Sequence, residues 1–158
     1  MSHPHFYGVC VEWSHAFGHA PIFIPEADRR WLMRPDPAVS HWRQTLTPVA
    51  GLTLIQCGGH FEGSAVLHWS GGAEGRGALL TGDTMTVVAD RRFVSFMRSY
   101  PNEIPLSAAT VKRIAATVRP YPFDRVYGGW WDRVISRDGA AAVERSADRY
   151  VRWIEAGN

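Results

Sequence analysis

The sequence of 158 residues has few cysteines, no long apolar run and no concentration of charge of one sign. Cys10 and Cys57 are too few for a disulfide framework, which favours a reducing compartment. No apolar run approaches the ~18 residues that a membrane span requires. The opening residues, MSHPHFYGVC, contain neither a basic leader nor an apolar signal region. These absences predict a cytoplasmic protein with no membrane partner.

Charge is also too low and too scattered for a nucleic-acid partner. The formal net charge is +2, and no basic run has aromatic residues interleaved to stack on bases. We therefore expect a small-molecule substrate and no nucleic acid. With 46% hydrophobic and 20% charged residues, residues 1–158 are predicted to form one globular domain that hides about 70% of the chain's surface.

The sequence does contain a pattern of strands between helices. Apolar residues at helical spacing predict a first helix over about residues 6–17, and the stripe after Asp138 predicts a last helix over about 139–155. Ser107 is a suitable N-cap for a third helix. Strands are predicted over 52–57, 64–70, 77–83, 85–90 and 125–129. The pattern indicates an α/β (α+β) unit with helices outside a sheet.

Metal-type ligands occur at three places in the strand ends and turns. In SHPHFYG, Pro4 stiffens the chain between His3 and His5, so that both imidazoles can turn toward one ion. Two histidines beside an initiator Met are also compatible with a frayed terminus. His60 follows two glycines, which allow a sharp turn and a close approach to an ion, and Asp83 follows the apolar run ALLTG. Taken alone, a backbone-bonded histidine and a turn aspartate explain these two residues as well.

Together these segments resemble the metallo-β-lactamase superfamily. Its members follow a strand with H-x-H-x-D-H and later carry a G-H turn, a G-D at a strand end and a final His. The corresponding segments here are SHPHFYG, GGHFEGSAVLHW, GALLTGDT and RVYGGWW. The resemblance covers nearly the whole chain and implies an αβ/βα sandwich. Family members carry several strands before the first motif, so the resemblance also implies that the sandwich is N-terminally truncated.

The resemblance implies one complete metal site and one incomplete one. His3, His5 and His60 match ligands of the first site, and Asp83 matches the aspartate that bridges the two metals. Tyr7 stands where the first motif has its aspartate. Gly8 stands where the first motif has its last histidine, and Trp130 and Trp131 lie near the position of the family's final histidine. We expect one metal ion per chain, zinc with iron as the alternative.

The implied activity is that of a metallo-hydrolase, in which a metal-bound hydroxide attacks an ester, thioester, lactone or similar bond. Asp83 is expected to serve catalysis as a fourth ligand or as the partner of the bound water, and Tyr7 as a phenol that donates to a substrate oxyanion. Tyr100 and Asn102 are expected to face the pocket. The incomplete second site keeps two alternatives open: a catalytically degenerate binding domain and a mononuclear iron oxygenase. The truncation implies either that the chain is a fragment of a longer protein or that self-association replaces the missing sheet. Because one face of the sheet is left uncovered, we expect the isolated chain to form a homodimer or to be a poorly soluble monomer.

Overall fold

The structure is a computed structural model and describes residues 1–156. Its α-helices are α1 (Cys10–Ala16), the single turn α2 (Gly72–Gly75), α3 (Ala108–Val118) and α4 (Gly139–Glu155), and 3₁₀ turns occupy Pro4–Phe6 and Glu26–Trp31. The strands are β1 (Ile22–Pro25), β2 (Val39–Trp42), β3 (Thr45–Val49), β4 (Leu52–Gln56), β5 (Ala65–Trp69), β6 (Ala78–Leu80), β7 (Thr86–Val87), β8 (Val94–Ser95), β9 (Met97–Ser99), β10 (Ile104–Pro105), β11 (Arg125–Tyr127) and β12 (Val134–Ile135).

A mixed six-stranded sheet forms the centre of the molecule. Its strand order is β12-β11-β6-β5-β4-β3, in which β6 and β11 pair in parallel and the other neighbours are antiparallel. Three two-stranded ladders, β1-β2, β7-β8 and β9-β10, lie outside it. The predicted mixed α/β class is confirmed.

Helices α3 and α4 pack against each other, and one face of the sheet lies in the same core. Ser107 caps α3 as predicted, because its side chain accepts a hydrogen bond from the Thr110 amide. The predicted last helix agrees with α4 in both bounds. In the described part of the chain, none of the helices combines the length and apolar composition needed to cross a bilayer.

The prediction for the first helix was partly wrong. Residues 4–6 form a 3₁₀ turn, and α1 begins only at Cys10, because Val9 has the non-helical ψ of 17°. The apolar stripe expected to face the core is also exposed: Trp13 retains 61% of its accessible surface and Phe17 69%. The buried residues of α1 are Cys10, which belongs to the predicted stripe, and Val11 and Ser14, which do not. The helical spacing of bulky aromatics therefore predicted a helix correctly but predicted the wrong buried face.

Candidate metal centre

The sheet topology brings the sequence motifs to one edge. Strand β4 runs antiparallel to β5, β5 runs antiparallel to β6, and β6 is parallel to β11. The carboxyl ends of β4, β6 and β11 therefore point the same way. His60 lies in the loop after β4, Asp83 follows β6, and Gly129 follows β11.

The N-terminal segment lies across this edge and is held there. The Ala65 amide donates to the Ser2 carbonyl at 2.9 Å, and the Met1 ammonium donates to the Phe23 carbonyl at 3.0 Å. The 3₁₀ turn that follows carries His5 close to His3, with the two ring centroids 5.1 Å apart. The alternative of a frayed terminus is therefore wrong in this structure.

Four side chains converge to form a cluster with metal-ligand chemistry. One donor atom from each of His3, His5, His60 and Asp83 lies within 4.8 Å of every other. Ligands 2.0–2.2 Å from one zinc ion are at most about 4.4 Å apart, so small movements let these donors coordinate a single ion. His5 is exposed, whereas the other three residues are buried.

Unpartnered nitrogens show that the cluster fits a metal ion. The Nε2 atoms of His3 and His60 are buried and make no hydrogen bond. Asp83 Oδ2 is 3.4 Å from His3 Nε2 and 3.8 Å from His60 Nε2. A buried polar atom without a partner costs about 1–3 kcal/mol. Two such nitrogens beside one carboxylate are what a cation site requires.

The opposite ring nitrogens are held in place by their own contacts. His60 Nδ1 lies 3.3 Å from the Met97 carbonyl, which makes it the donor and leaves the Nε2 lone pair free for a metal. His3 Nδ1 lies 3.0 Å from Ser2 Oγ. Such partners orient metal-binding imidazoles and select their tautomer.

The protonation states of the buried ligands favour a cation. Burial, followed by the neighbouring His3, lowers the pKa of His60, so its imidazole is neutral at pH 7. For Asp83, burial acts to raise the pKa, but the His3, His60 and His5 imidazoles outweigh it and the net shift is downward. A neutral imidazole and an ionised carboxylate are the forms that bind metals.

Glycines permit close packing in the two loops that carry His60 and Asp83. Gly59 has a φ of +97°, and a Cβ there would lie 2.9 Å from Ile114 Cδ1. Gly82 has a φ of +50°, and its Cβ would lie 2.7 Å from Ser2 Oγ. A side chain at Gly82 would thus displace the segment that supplies His3. The positive φ of Gly59 is the conformation that the predicted glycine turn before His60 requires.

Of the two residues expected in the 91–107 loop, only Tyr100 lies at the cluster. Its hydroxyl donates to the Asp83 carbonyl at 3.2 Å, and its ring centroid is 5.4 Å from that of His60. The expectation for Asn102 was wrong, because this residue is exposed and donates to Ser99 Oγ at 3.0 Å. Turn composition alone did not distinguish the two.

Tyr7, Trp130 and Trp131, which stand where the resemblance implies missing second-site ligands, have different surroundings. Tyr7 is buried, and its hydroxyl donates to Asp28 Oδ2 at 3.2 Å. Its predicted donation to a substrate stays a prediction and requires that bond to break. Trp130 and Trp131 are 64% and 94% exposed. Within residues 1–156, no second group of three or more histidine, cysteine or acidic side chains gathers at coordination range.

Two residues next to the cluster were missed at the level of sequence. Phe61 packs its ring 5.0 Å from the His60 centroid and 5.1 Å from that of His5. The guanidinium of Arg98 donates to the His60 carbonyl. The adjacency of Phe61 to His60 was a usable signal, whereas Arg98 is 38 residues away and reaches the site only through the fold.

Sequence comparison finds one similar curated protein. No protein-family model matches the chain. It is 51% identical over 153 residues to the uncharacterized protein YmaE of Bacillus subtilis (strain 168), which covers 96% of this chain and 55% of YmaE. The chain therefore spans about half the length of this curated relative.

Several solved structures have a similar fold, although their sequences are at most 20% identical to this chain. An N-acyl homoserine lactone hydrolase, with its product N-hexanoyl-L-homoserine bound at the catalytic metal centre, matches at TM-score 0.53 and 19% identity over 81% of this chain and 53% of its own. A di-iron-bound form of TTHA1623 matches at 0.55 and 20% over 89% and 72%. A metallo-β-lactamase from Staphylococcus aureus subsp. aureus COL matches at 0.58 and 12% over 99% and 50%. The chain has the metallo-β-lactamase fold.

Proposed function

We propose that this chain is a metal-dependent hydrolase of ester, thioester, lactone or similar carbonyl bonds. His3, His5 and His60 hold one ion, and Asp83 is its fourth ligand or the partner of its water. The observation that carries the proposal is the pair of buried, unpartnered Nε2 atoms of His3 and His60 beside the Asp83 carboxylate. The fold shared with a lactone hydrolase supports the reaction class.

The chain's own residues would bind and orient the reactants. A divalent ion held by these donors supplies a Lewis acid that polarises a carbonyl and brings the pKa of water to about 7. Asp83, whose carboxyl pKa is lowered, is ionised at neutral pH and accepts a hydrogen bond from the attacking water. His5 is the exposed member of the cluster, so substrate approaches from its side.

Zinc is the ion we propose, because three protein ligands with one open position form a recognised catalytic zinc site. Iron(II) is the alternative, since two histidines and a carboxylate also hold iron, and an iron site would favour the mononuclear oxygenase. We propose at most one ion per chain, because glycine and indole cannot replace the missing ligands. The two free thiols, Cys10 and Cys57, support a reducing compartment such as the cytoplasm.

Elemental analysis of protein purified without added metal tests the site. We expect up to one equivalent per chain, loss of tight binding in His60→Ala and weaker binding in Asp83→Ala. Removal of residues 1–5 should be nearly as damaging as the loss of His60. His41→Ala is the matched control, since His41 also has a buried, unpartnered Nδ1 but lies in β2. Two equivalents per chain, or full retention in His60→Ala, contradicts the assignment.

Hydrolysis assays with a panel of esters, thioesters and lactones test the reaction. Turnover that requires the metal and is lost in His60→Ala supports the hydrolase. A second candidate is a binding domain without turnover, favoured by the engagement of the Tyr7 hydroxyl with Asp28. Bound metal with no hydrolysis of any member of the panel would replace the hydrolase with this candidate.

A further inference from the structure

A cleft of about 660 Å³ lies beside the metal centre, and Phe61, whose ring packs against the His60 imidazole, lines it. It is bordered by the loop that carries His60, by the start of α3 and by the 3₁₀ turn Glu26–Trp31. The four donor residues do not line it. Phe61 is therefore the side chain that the cleft shares with the cluster, since its ring centroid is 5.0 Å from that of His60 and 5.1 Å from that of His5.

The charged side chains of the cleft are mostly cationic. Arg30, Arg98 and Arg113 line it together with a single carboxylate, that of Glu62. Arg30 Nη2 lies 3.2 Å from Glu62 Oε1, and this pair is largely exposed. Among residues 1–156, no carboxylate comes within 4.0 Å of the Arg98 or Arg113 guanidinium. Two positive charges in the cleft therefore lack a counter-charge among the described residues.

Both of these arginines are positioned by backbone contacts. Arg98 donates to the His60 carbonyl, and Arg113 donates to the Cys57 carbonyl. The guanidinium of Arg113 lies against Gly58, since a Cβ at that glycine would be 3.4 Å from Nη1 and 3.5 Å from Nη2. A guanidinium has five N–H donors, so each arginine keeps several for a ligand. Positioned forks of this kind suit carboxylates and phosphates.

We infer that this cleft binds an oxyanion, a carboxylate or phosphate group, through Arg98 and Arg113. The inference rests on the proposed function for its second part: the substrate of the metal centre carries this anionic group on the side away from the bond that is cleaved. Phe61, Trp31 and Leu106 line the same cleft and suit an apolar stretch between the two groups.

Calorimetric titration of the zinc-loaded protein with inorganic phosphate and with glutarate tests the binding site without an activity assay. We expect saturable binding of at least one anion, about tenfold or more weaker in Arg113→Gln and partly restored in Arg113→Lys. Arg152→Gln is the matched control, because Arg152 is an exposed arginine on α4, and it should bind as the wild type does.

Three results overturn the inference. The first is the absence of saturable binding of either anion. The second is unchanged affinity in both Arg113→Gln and Arg98→Gln. The third is binding that is lost in His60→Ala but retained in Arg113→Gln, which would place the anion on the metal ion.

Kinetics with a matched pair of esters tests the substrate class. One ester carries a terminal carboxylate on its acyl chain, and the other carries a neutral amide there. We expect Arg113→Gln to lower kcat/KM for the anionic ester about tenfold and to change that of the neutral ester less than about twofold. Equal losses for both overturn the assigned substrate class. If neither ester is hydrolysed, the proposed function fails, and the anion site is decided by the calorimetry.

Discussion

The two faces of the six-stranded sheet carry similar apolar side chains but differ in what covers them. On one face Ile55, Val66 and Leu79 are at most 1% exposed and share a core with α3 and α4. On the other, Leu67 is half-buried, and Leu80 remains 36% exposed. Alternation along a strand assigns residues to faces, whereas burial depends on a covering layer that only the tertiary structure supplies.

The open face continues into the exposed aromatic side chains of Trp13 in α1 and of Phe17, which directly follows α1. Trp13 and Phe17 stack with their centroids 5.8 Å apart, and together with Leu54 and Leu67 they line an apolar groove of about 380 Å³. Contiguous apolar surface of this kind marks an interaction site. We propose that a second copy of the chain covers it, forming a homodimer.

Neighbouring leucines of β6 provide the sharpest test of the difference between the faces. Leu79→Ala removes a fully buried side chain and should lower the free energy of unfolding by about 3 kcal/mol. Leu80→Ala should cost less than about 1 kcal/mol. Urea denaturation at concentrations where the protein is monomeric measures both. Equal costs would mean that the open face is covered within the chain.

Metal binding should stabilise the edge of the sheet where the loops after β4 and β6 meet. At a free zinc concentration of 100 Kd, binding to the folded state adds about 2.7 kcal/mol. Thermal melts of the wild type should shift upward with zinc, whereas those of His60→Ala should not. The matched His41→Ala should shift as the wild type does. An equal shift in His60→Ala would show that zinc binds elsewhere.

Self-association should depend on the open face. Leu80→Lys places a charge in the proposed interface and should shift sedimentation from dimer to monomer at micromolar concentration. Met33→Lys is the control, since Met33 is 88% exposed outside the sheet, and it should sediment as the wild type does. A wild-type protein that is monomeric at high concentration would refute the dimer.

The two cysteines should differ in their rate of thiol labelling, because one lies in the covered core and the other beside the open face. This is the smallest of the expected effects. Cys57 lies in the covered core, where burial raises the pKa of its thiol to about 12, so the thiol stays protonated at pH 7.5. Cys10 belongs to the smaller cluster around α1 and lines the open groove. We expect a maleimide to label Cys10 faster than Cys57 in the native protein, as read by mass spectrometry of the digested product. Faster labelling of Cys57 would contradict the burial assigned to it.

The candidate site was more predictable than the details of the fold around it. His60 and Asp83 each follow a strand whose apolar run is visible in the sequence, and glycines mark both turns. The Met97 carbonyl behind His60 was not predictable, because every residue has such an acceptor and only the tertiary structure selects one. The position of Arg98 was hidden for the same reason, since no local pattern links it to a loop 38 residues earlier.

The sequence by itself determined most of the strand and helix pattern and the side chains able to bind a metal. These are local properties of residue type and spacing. Tertiary structure alone decided which face of α1 is buried, that the Tyr7 hydroxyl bonds to Asp28, and that two arginines without a carboxylate partner in the described part of the chain line one cleft. Each of these depends on which distant segments pack together, because burial and pairing are properties of the contact and not of the residue.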